Sequence, residues 1–169
     1  MGTFLSQESA ASLGTGAAKA VLTESGIDPS LIDEVIFGCV GQPAKEMNVS
    51  RIIGVRAGVP DSVPGVTLHR NCASGMEAIS YACSKASEGK GSVFLVGGAE
   101  NMSRMPLLYT RAASEKFTEL LRSKNAYQKI KTLLKFRPSD FLPRVSLRMG
   151  LDDPLSGLNM GETAELLAR

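Results

Sequence analysis

The sequence predicts an α/β fold, a mainly parallel sheet layered between helices as α-β-α. Two observations carry this. Segments of helical periodicity alternate with short apolar runs, three of each, over residues 9–98. Those runs are apolar at successive positions, so their strands are buried on both faces, as parallel strands are when helices cover both sides. Gly and Pro punctuate the alternation, at Gly26, Gly41, Pro60, Pro64, Gly89, Gly91 and Gly97–Gly98.

The first helix is expected over Ser9–Ser25, where Leu13, Ala17, Ala20 and Val21 recur on one face and Gly26 is a natural stop. Asp28–Pro29 opens a single turn, with Pro in the first helical position. A strand follows over Glu34–Val40. A helix over Asn48–Ala57 has Asn48 as its N-cap. A strand over Gly65–His69 leads into a helix over Ala73–Ser87, and a third strand covers Ser92–Val96. After Pro106 the texture changes to scattered Lys and Arg with aromatics and no β signal. Phe117, Leu120, Leu121, Ile130, Leu133 and Leu134 fall near helical spacing, which predicts one helix over Arg111–Lys135. A last helix is expected from Met160 to Arg169.

Composition bounds the function. With 43% hydrophobic and 21% charged residues in 169, the chain is neither disordered nor collagen-like. The longest apolar run, VIFGCVG from Val35, is far short of the roughly 18 residues that span a bilayer. No signal peptide is evident at the start. Three cysteines without C-x-x-C spacing argue against a disulfide framework or a zinc cluster, and reduced thiols suit a cytoplasmic setting. The net charge of +2 hides an uneven distribution. Residues 104–148 hold 11 Lys and Arg against 3 Asp and Glu, between two acidic segments. A nucleic-acid reading of that stretch is the weakest, because no binding motif accompanies it.

Chemistry concentrates in TLHRNCASGMEAI, residues 67–79. A strand ends, the chain turns, and Cys72 sits at the mouth of a helix, where unpaired amides and the helix dipole favour a thiolate. Ala73, Ser74 and Gly75 are small enough for close approach of a substrate, in the strand–turn–helix manner of a nucleophile elbow. A free Cys is as often a small core residue, and the pattern alone leaves both readings open. Cys83, about 20° away around the helix, and Cys39, at a strand end, are expected in the core. His69 is three residues from Cys72 in an extended segment, beyond hydrogen-bond reach and on the opposite face. No base for Cys72 is visible in the chain.

The residues resemble a family. TLHRNCASGMEAI resembles the nucleophile motif of thiolases, the acyl-CoA acyltransferases that cleave or condense 3-ketoacyl-CoA. GGAENMSRMP at 97–106 resembles their GG-x-E-x-MS loop, and NMGETAE at 159–165 their MG-x-TAE element. DEVIFGCV at 33–40 and NVSR at 48–51 also fit. The resemblance implies that Cys72 is the catalytic acyl carrier in ping-pong transfer to CoA or to an acetyl-CoA carbanion. The Cys72 backbone N–H would be one donor to the thioester oxyanion. Met160 would line the acyl pocket, and the basic stretch would cover the CoA phosphates. CoA thioesters are then substrates, with no separate cofactor or metal. The full-length family implies a homo-oligomer, with no nucleic-acid partner and no membrane span. The implied domains are 1–106, an amino-terminal α/β half, and 107–169, the start of a CoA-covering loop domain.

The departures matter as well. Many family members have His where this chain has Asn159. The G-H-P histidine that activates the cysteine, the second acid/base cysteine and the water-orienting Asn have no motif here. The first strand and the second α/β half are expected to be missing, and the isolated chain to be a poor catalyst. The alternatives are a half-fold serving dimerisation or acyl-CoA binding, or one chain of a split thiolase. The ketoacyl-synthase relatives, which share the fold and a nucleophilic Cys, fit the GG-x-E-x-MS and MG-x-TAE segments less well.

Overall fold

The computed structural model describes residues 4–168. Gly2 and Thr3, at the start of the family match, and Arg169, at the end of the last expected helix, lie outside the described residues. The chain divides into two compact units, residues 1–104 and 105–169.

The first unit has the expected alternation. Helix α1 (Ala10–Ser25) starts where the Ser9 hydroxyl accepts from the Ser12 N–H at 3.1 Å, and it stops at Gly26 in the left-handed region. Strand β1 (Glu34–Gly38), helix α2 (Val49–Ala57), strand β2 (Gly65–Leu68), helix α3 (Ser74–Ser87) and strand β3 (Phe94–Gly98) follow. The sheet order is β2-β1-β3, and both pairings are parallel.

Side-chain hydrogen bonds shift the strand ends from their expected places. β1 stops at Gly38, short of Val40; the Cys39 N–H still donates to the Leu68 carbonyl at 3.1 Å, and the Glu100 carboxylate takes the two amides after it, Val40 N–H at 2.8 Å and Gly41 N–H at 3.0 Å. β3 begins at Phe94 because the Ser92 and Val93 amides donate to the Asp33 carboxylate at 2.6 and 2.9 Å. It continues through Gly98, past the expected end at Val96, by pairing Gly97 and Gly98 with Phe37 and Gly38.

The two-residue period of β1 sorts the layers. Val35, Phe37 and Cys39 join one core with Ala10, Ala11 and Ala18 of α1 and Val49 and Ile53 of α2. Ile36 joins the other, with Ala78 and Ala82 of α3. Glu34 is buried, and its carboxylate pairs with Lys85 of α3, which neutralises a charge that would otherwise be costly there.

Ser50 ties α2 to the sheet. Its fully buried hydroxyl accepts from the Phe37 N–H at 2.9 Å and donates to the Val66 carbonyl at 2.6 Å, while its own N–H donates to Thr67 Oγ1 at 3.0 Å. Asn48 caps α2 through the Arg51 N–H and reaches the Gly65 carbonyl. The NVSR segment is thus a structural staple between β1 and β2. Ser50→Ala leaves a buried donor and a buried acceptor unpaired. The expected cost is about 1–3 kcal/mol of stability, read by urea unfolding.

In the second unit the helix expected over Arg111–Lys135 is two helices. A two-stranded antiparallel ladder, absent from the sequence reading, pairs β4 (Leu107–Leu108) with β5 (Arg144–Val145). Two residues per strand are too few to leave an alternating pattern. Helix α4 (Arg111–Arg122) ends at Ser123, and helix α5 (Ala126–Leu133) starts afresh where the Asn125 side chain accepts from the Gln128 N–H at 2.9 Å. Asn at a cap outweighs continuous hydrophobic spacing. Four rings cluster here: Phe117 meets Tyr109, Phe136 and Phe141 at centroid distances of 5.2, 4.9 and 6.0 Å. Lys116 reaches the buried Asp140 at 2.7 Å. Together with the Arg137 N–H, Lys116 holds that carboxyl below its usual range. Helices α6 (Ser146–Met149) and α7 (Met160–Leu167) complete the unit.

The cysteine elbow as candidate active site

Cys72 lies between β2 and α3, beyond the carboxyl ends of the parallel strands, where open α/β sheets place their sites. The turn that carries it is held by its neighbours. Asn71 adopts a positive φ of 44°, a conformation that Asn tolerates better than most residues. The buried Ser74 hydroxyl accepts from the Arg70 N–H at 2.8 Å and donates to the Asn71 carbonyl at 2.6 Å, bracketing Cys72 on both sides. Arg70 also spans the turn to Glu77 at 3.0 Å. Cys72 itself is exposed.

Three glycines bring this turn down onto the sheet. Gly38 and Gly98 pair across β1 and β3. A Cβ on Gly38 would lie 2.2 Å from the Ser74 carbonyl carbon, and one on Gly98 would lie 3.2 Å from the Gly75 Cα. The start of α3 therefore rests on backbone alone. The Ser74 latch and the Gly38 contact escaped the sequence reading, which saw only that 73–75 are small. Asn immediately before the cysteine was the available signal for a left-handed residue.

The three cysteines separate by environment. Cys39 is buried as expected, and desolvation, followed by the nearby Glu100 carboxylate, pushes its thiol up to about 12. It remains a protonated thiol at neutral pH. Cys83 is exposed, contrary to the expectation of a core position. The buried face of α3 is Ser74, Ala78 and Ala82. Cys83 lies about 100° from Ala82 and outside that face. Iodoacetamide at neutral pH is expected to alkylate Cys72 and Cys83 and to spare Cys39 until the chain unfolds, as peptide mapping would show. The raised Cys39 value also sets a sign. Its stabilising contribution is complete below pH 9, the ordinary thiol value, and is lost as pH rises towards about 12. Wild type is therefore expected to lose more stability across that window than Cys39→Ala. Equal losses would refute the assignment.

His69 follows directly on β2 and is exposed. Met160 belongs to the second unit, at the first turn of α7, and is 60% exposed. Asn159, where the family often has His, is the helix cap. Its side chain accepts from the Glu162 N–H at 3.0 Å, and the Glu162 carboxylate accepts from the Asn159 N–H at 2.9 Å. A hollow of about 470 Å³ borders it, lined by Leu158, Asn159, Gly161, Glu162, Glu165 and Leu166. Met160 is not among those lining residues. A larger groove of about 780 Å³ lies between α4 and α5 and carries Arg111, Arg122, Lys131 and Lys135 with Glu115 and Glu119. Two of its cations are engaged by its acids, Arg111 with Glu115 at 2.9 Å and Lys135 with Glu119 at 2.6 Å. Among the described residues, no three His, Cys, Asp or Glu side chains gather as a metal site requires. Among the described residues, no helix is long and apolar enough to cross a membrane.

Comparison with known proteins agrees with these motifs. The family model for the thiolase N-terminal domain matches residues 1–169. The 3-ketoacyl-CoA thiolase of Photorhabdus laumondii is 29% identical over 160 residues, which is 95% of this chain and 36% of that protein. The crystal structure of the Bacillus anthracis acetyl-CoA acetyltransferase superposes with a TM-score of 0.79 at 29% identity, over 99% of this chain and 37% of that one. Human mitochondrial 3-ketoacyl-CoA thiolase in complex with CoA gives a TM-score of 0.75 at 28% identity, over 97% and 37%. The chain thus spans little more than a third of the length of these relatives. The α/β fold, the elbow cysteine and the match along its whole length agree: the chain belongs to the thiolase family and corresponds to its amino-terminal domain.

Proposed function

We propose that this chain carries the acyl-accepting half of a thiolase reaction, with Cys72 as nucleophile. The observation that supports the assignment most is the elbow. It is the one place where an exposed cysteine stands on a constrained turn at the head of a helix. The Cys72 thiolate attacks the thioester carbonyl of an acyl-CoA, a new carbon–sulfur bond forms, and CoA leaves as its thiolate. In Claisen condensation the acyl group then passes to an acetyl-CoA carbanion. In thiolysis Cys72 instead attacks the 3-keto carbonyl of a 3-ketoacyl-CoA, the C2–C3 bond breaks, acetyl-CoA leaves as its carbanion and takes up a proton, and the acyl group passes to CoA. The Cys72 N–H stabilises the developing oxyanion. CoA thioesters are substrates, and no separate cofactor takes part. Met160 contributes to the acyl pocket from the second unit, and the basic residues after 104 serve the CoA phosphates. The working form is a cytoplasmic homo-oligomer.

Turnover needs a base to take the thiol proton, and the single histidine of the chain, His69, is not set in a G-H-P motif. The chain alone therefore acylates but turns over poorly. The test uses acetyl-CoA for intact-mass detection of an acetyl adduct at Cys72, and acetoacetyl-CoA with CoA for thiolysis, read as loss of the enolate absorbance. A Cys72 adduct with little thiolysis is expected. Rapid Cys72-dependent thiolysis would refute the incomplete-catalyst reading. Absence of any adduct would count against the nucleophile.

A further inference from the structure

The loop that carries Cys72 is closed twice. Its backbone makes two overlapping turns. The Ala73 N–H donates to the Arg70 carbonyl at 3.0 Å and the Ser74 N–H to the Asn71 carbonyl at 3.1 Å, and Cys72 is a central residue of both turns. Its side chains then close the loop again. Arg70 Nη2 meets Glu77 Oε1 at 3.0 Å, which joins the end of β2 to the first turn of α3 with Cys72 between them. Arg70 is exposed, so as an ion pair this contact contributes little to global stability. Its effect falls on what lies inside the loop.

A carboxylate in the first turn of a helix suits the helix dipole. Glu77 occupies that place, but it also sets a negative charge about one turn beyond a thiol that must lose its proton to react. A lone anion there opposes the thiolate, and a lone cation favours it. Arg70, two residues before Cys72, supplies the opposite charge on the other arm of the loop. The other titratable groups beyond the carboxyl ends of the three strands are His69 after β2, Cys39, Lys45 and Glu46 after β1, and Glu100 and Arg104 after β3. Glu46 is engaged by Arg56, and Glu100 by the Val40 and Gly41 amides. All of them stay the same when Arg70 and Glu77 are varied, so the comparison isolates that pair.

We propose that Arg70 is a positioning residue for Cys72, which braces the turn through Glu77 and cancels a carboxylate that would otherwise oppose the thiolate. This rests on the reading of Cys72 as nucleophile. The experiment is the pH profile of iodoacetamide alkylation at Cys72, resolved by peptide mapping of the whole chain. Arg70→Gln is expected to move the profile up by about half a pH unit, and so to slow alkylation near neutrality about threefold. Glu77→Gln should move it down, and the double variant should return it close to wild type. Arg70→Lys keeps the charge and should restore most of the profile. Lys90→Gln, which leaves Glu88 single past the end of α3, is the control and should change nothing. Labelling of the buried Cys39 would expose any variant that has merely unfolded, and Glu77→Gln then carries the test alone. Shifts of the same sign in Arg70→Gln and Glu77→Gln, or no shift in either, would overturn the proposal, because a purely structural brace has no sign. An acetyl adduct at Cys72 with an unshifted Arg70→Gln profile would overturn this role and keep the nucleophile. Opposite shifts with no acetyl adduct would support the pair and overturn the nucleophile.

Discussion

Cys72→Ser is expected to abolish acyl transfer to the chain, lowering the rate of adduct formation by about 10³-fold or more. A hydroxyl at this position keeps the size and the turn but gives up the thiolate, and an alkoxide is out of reach at neutral pH without a strong base. The chain holds two other thiols, which makes the outcome informative. Cys39 is buried and its thiol is pushed up to about 12, so it cannot substitute. Cys83 is exposed, so it is the internal control. Intact mass after incubation with acetyl-CoA, followed by peptide mapping, reads all three at once. Wild type and Cys83→Ser should label alike, and Cys72→Ser should not label. Label that persists in Cys72→Ser and maps to Cys83 would show an accessible thiol reacting without help from the elbow.

Gly38→Ala is the substitution expected to damage the fold most for the fewest atoms added. Its methyl carbon would fall 2.2 Å from the Ser74 carbonyl carbon, 2.3 Å from the Ser74 oxygen and 2.5 Å from the Gly75 nitrogen. Each of these is backbone in the first turn of α3, so no side chain can swing away. The helix start must lift off the sheet, at an expected cost of about 3 kcal/mol, the upper end for overpacking. Lifting it also disturbs the Ser74 hydroxyl, and with it both hydrogen bonds that bracket Cys72. Thermal unfolding should therefore fall together with Cys72 acylation. Gly75→Ala is the matched control, because its Cβ would meet only the Gly98 Cα, at 3.8 Å, an ordinary contact. If Gly38→Ala melts with wild type, the close approach of α3 to β1 is wrong.

The parts of the molecule that follow from short-range rules were legible in the sequence. Asn48 caps the helix that the pattern assigned to it, and Ser9 and Asp28, read only as the starts of their segments, cap them as well. The apolar run from Val35 gave β1 because its two faces meet two different helix layers. Misplaced strand ends trace to long-range partners, Asp33 for β3 and Glu100 for the exit of β1, some sixty residues away from what they bind. The break between α4 and α5 was missed because hydrophobic spacing runs straight through Ser123–Asn125, whereas Asn125 acts through a cap. At the candidate site, the place of Cys72 between a strand and a helix was legible from the sequence. Gly38 was not, because its contact with Ser74 joins residues that only the folded sheet brings together.

The β2-β1-β3 order fixes a sequence of events in time as well as in space. β1 leaves the ribosome before either neighbour: Val35 pairs with Gly65 and Leu95, which are made 30 and 60 residues later. During that interval the central strand offers two open edges, and α1 and then α2 are available to shield its Val35 and Phe37 side, while the Ile36 side waits for α3. Non-local parallel pairing of this kind is slow and exposed to aggregation. Formation of the elbow is bound to the same schedule. The floor on which α3 rests includes Gly98, so Cys72 acquires its final setting only when the last residue of β3 has arrived.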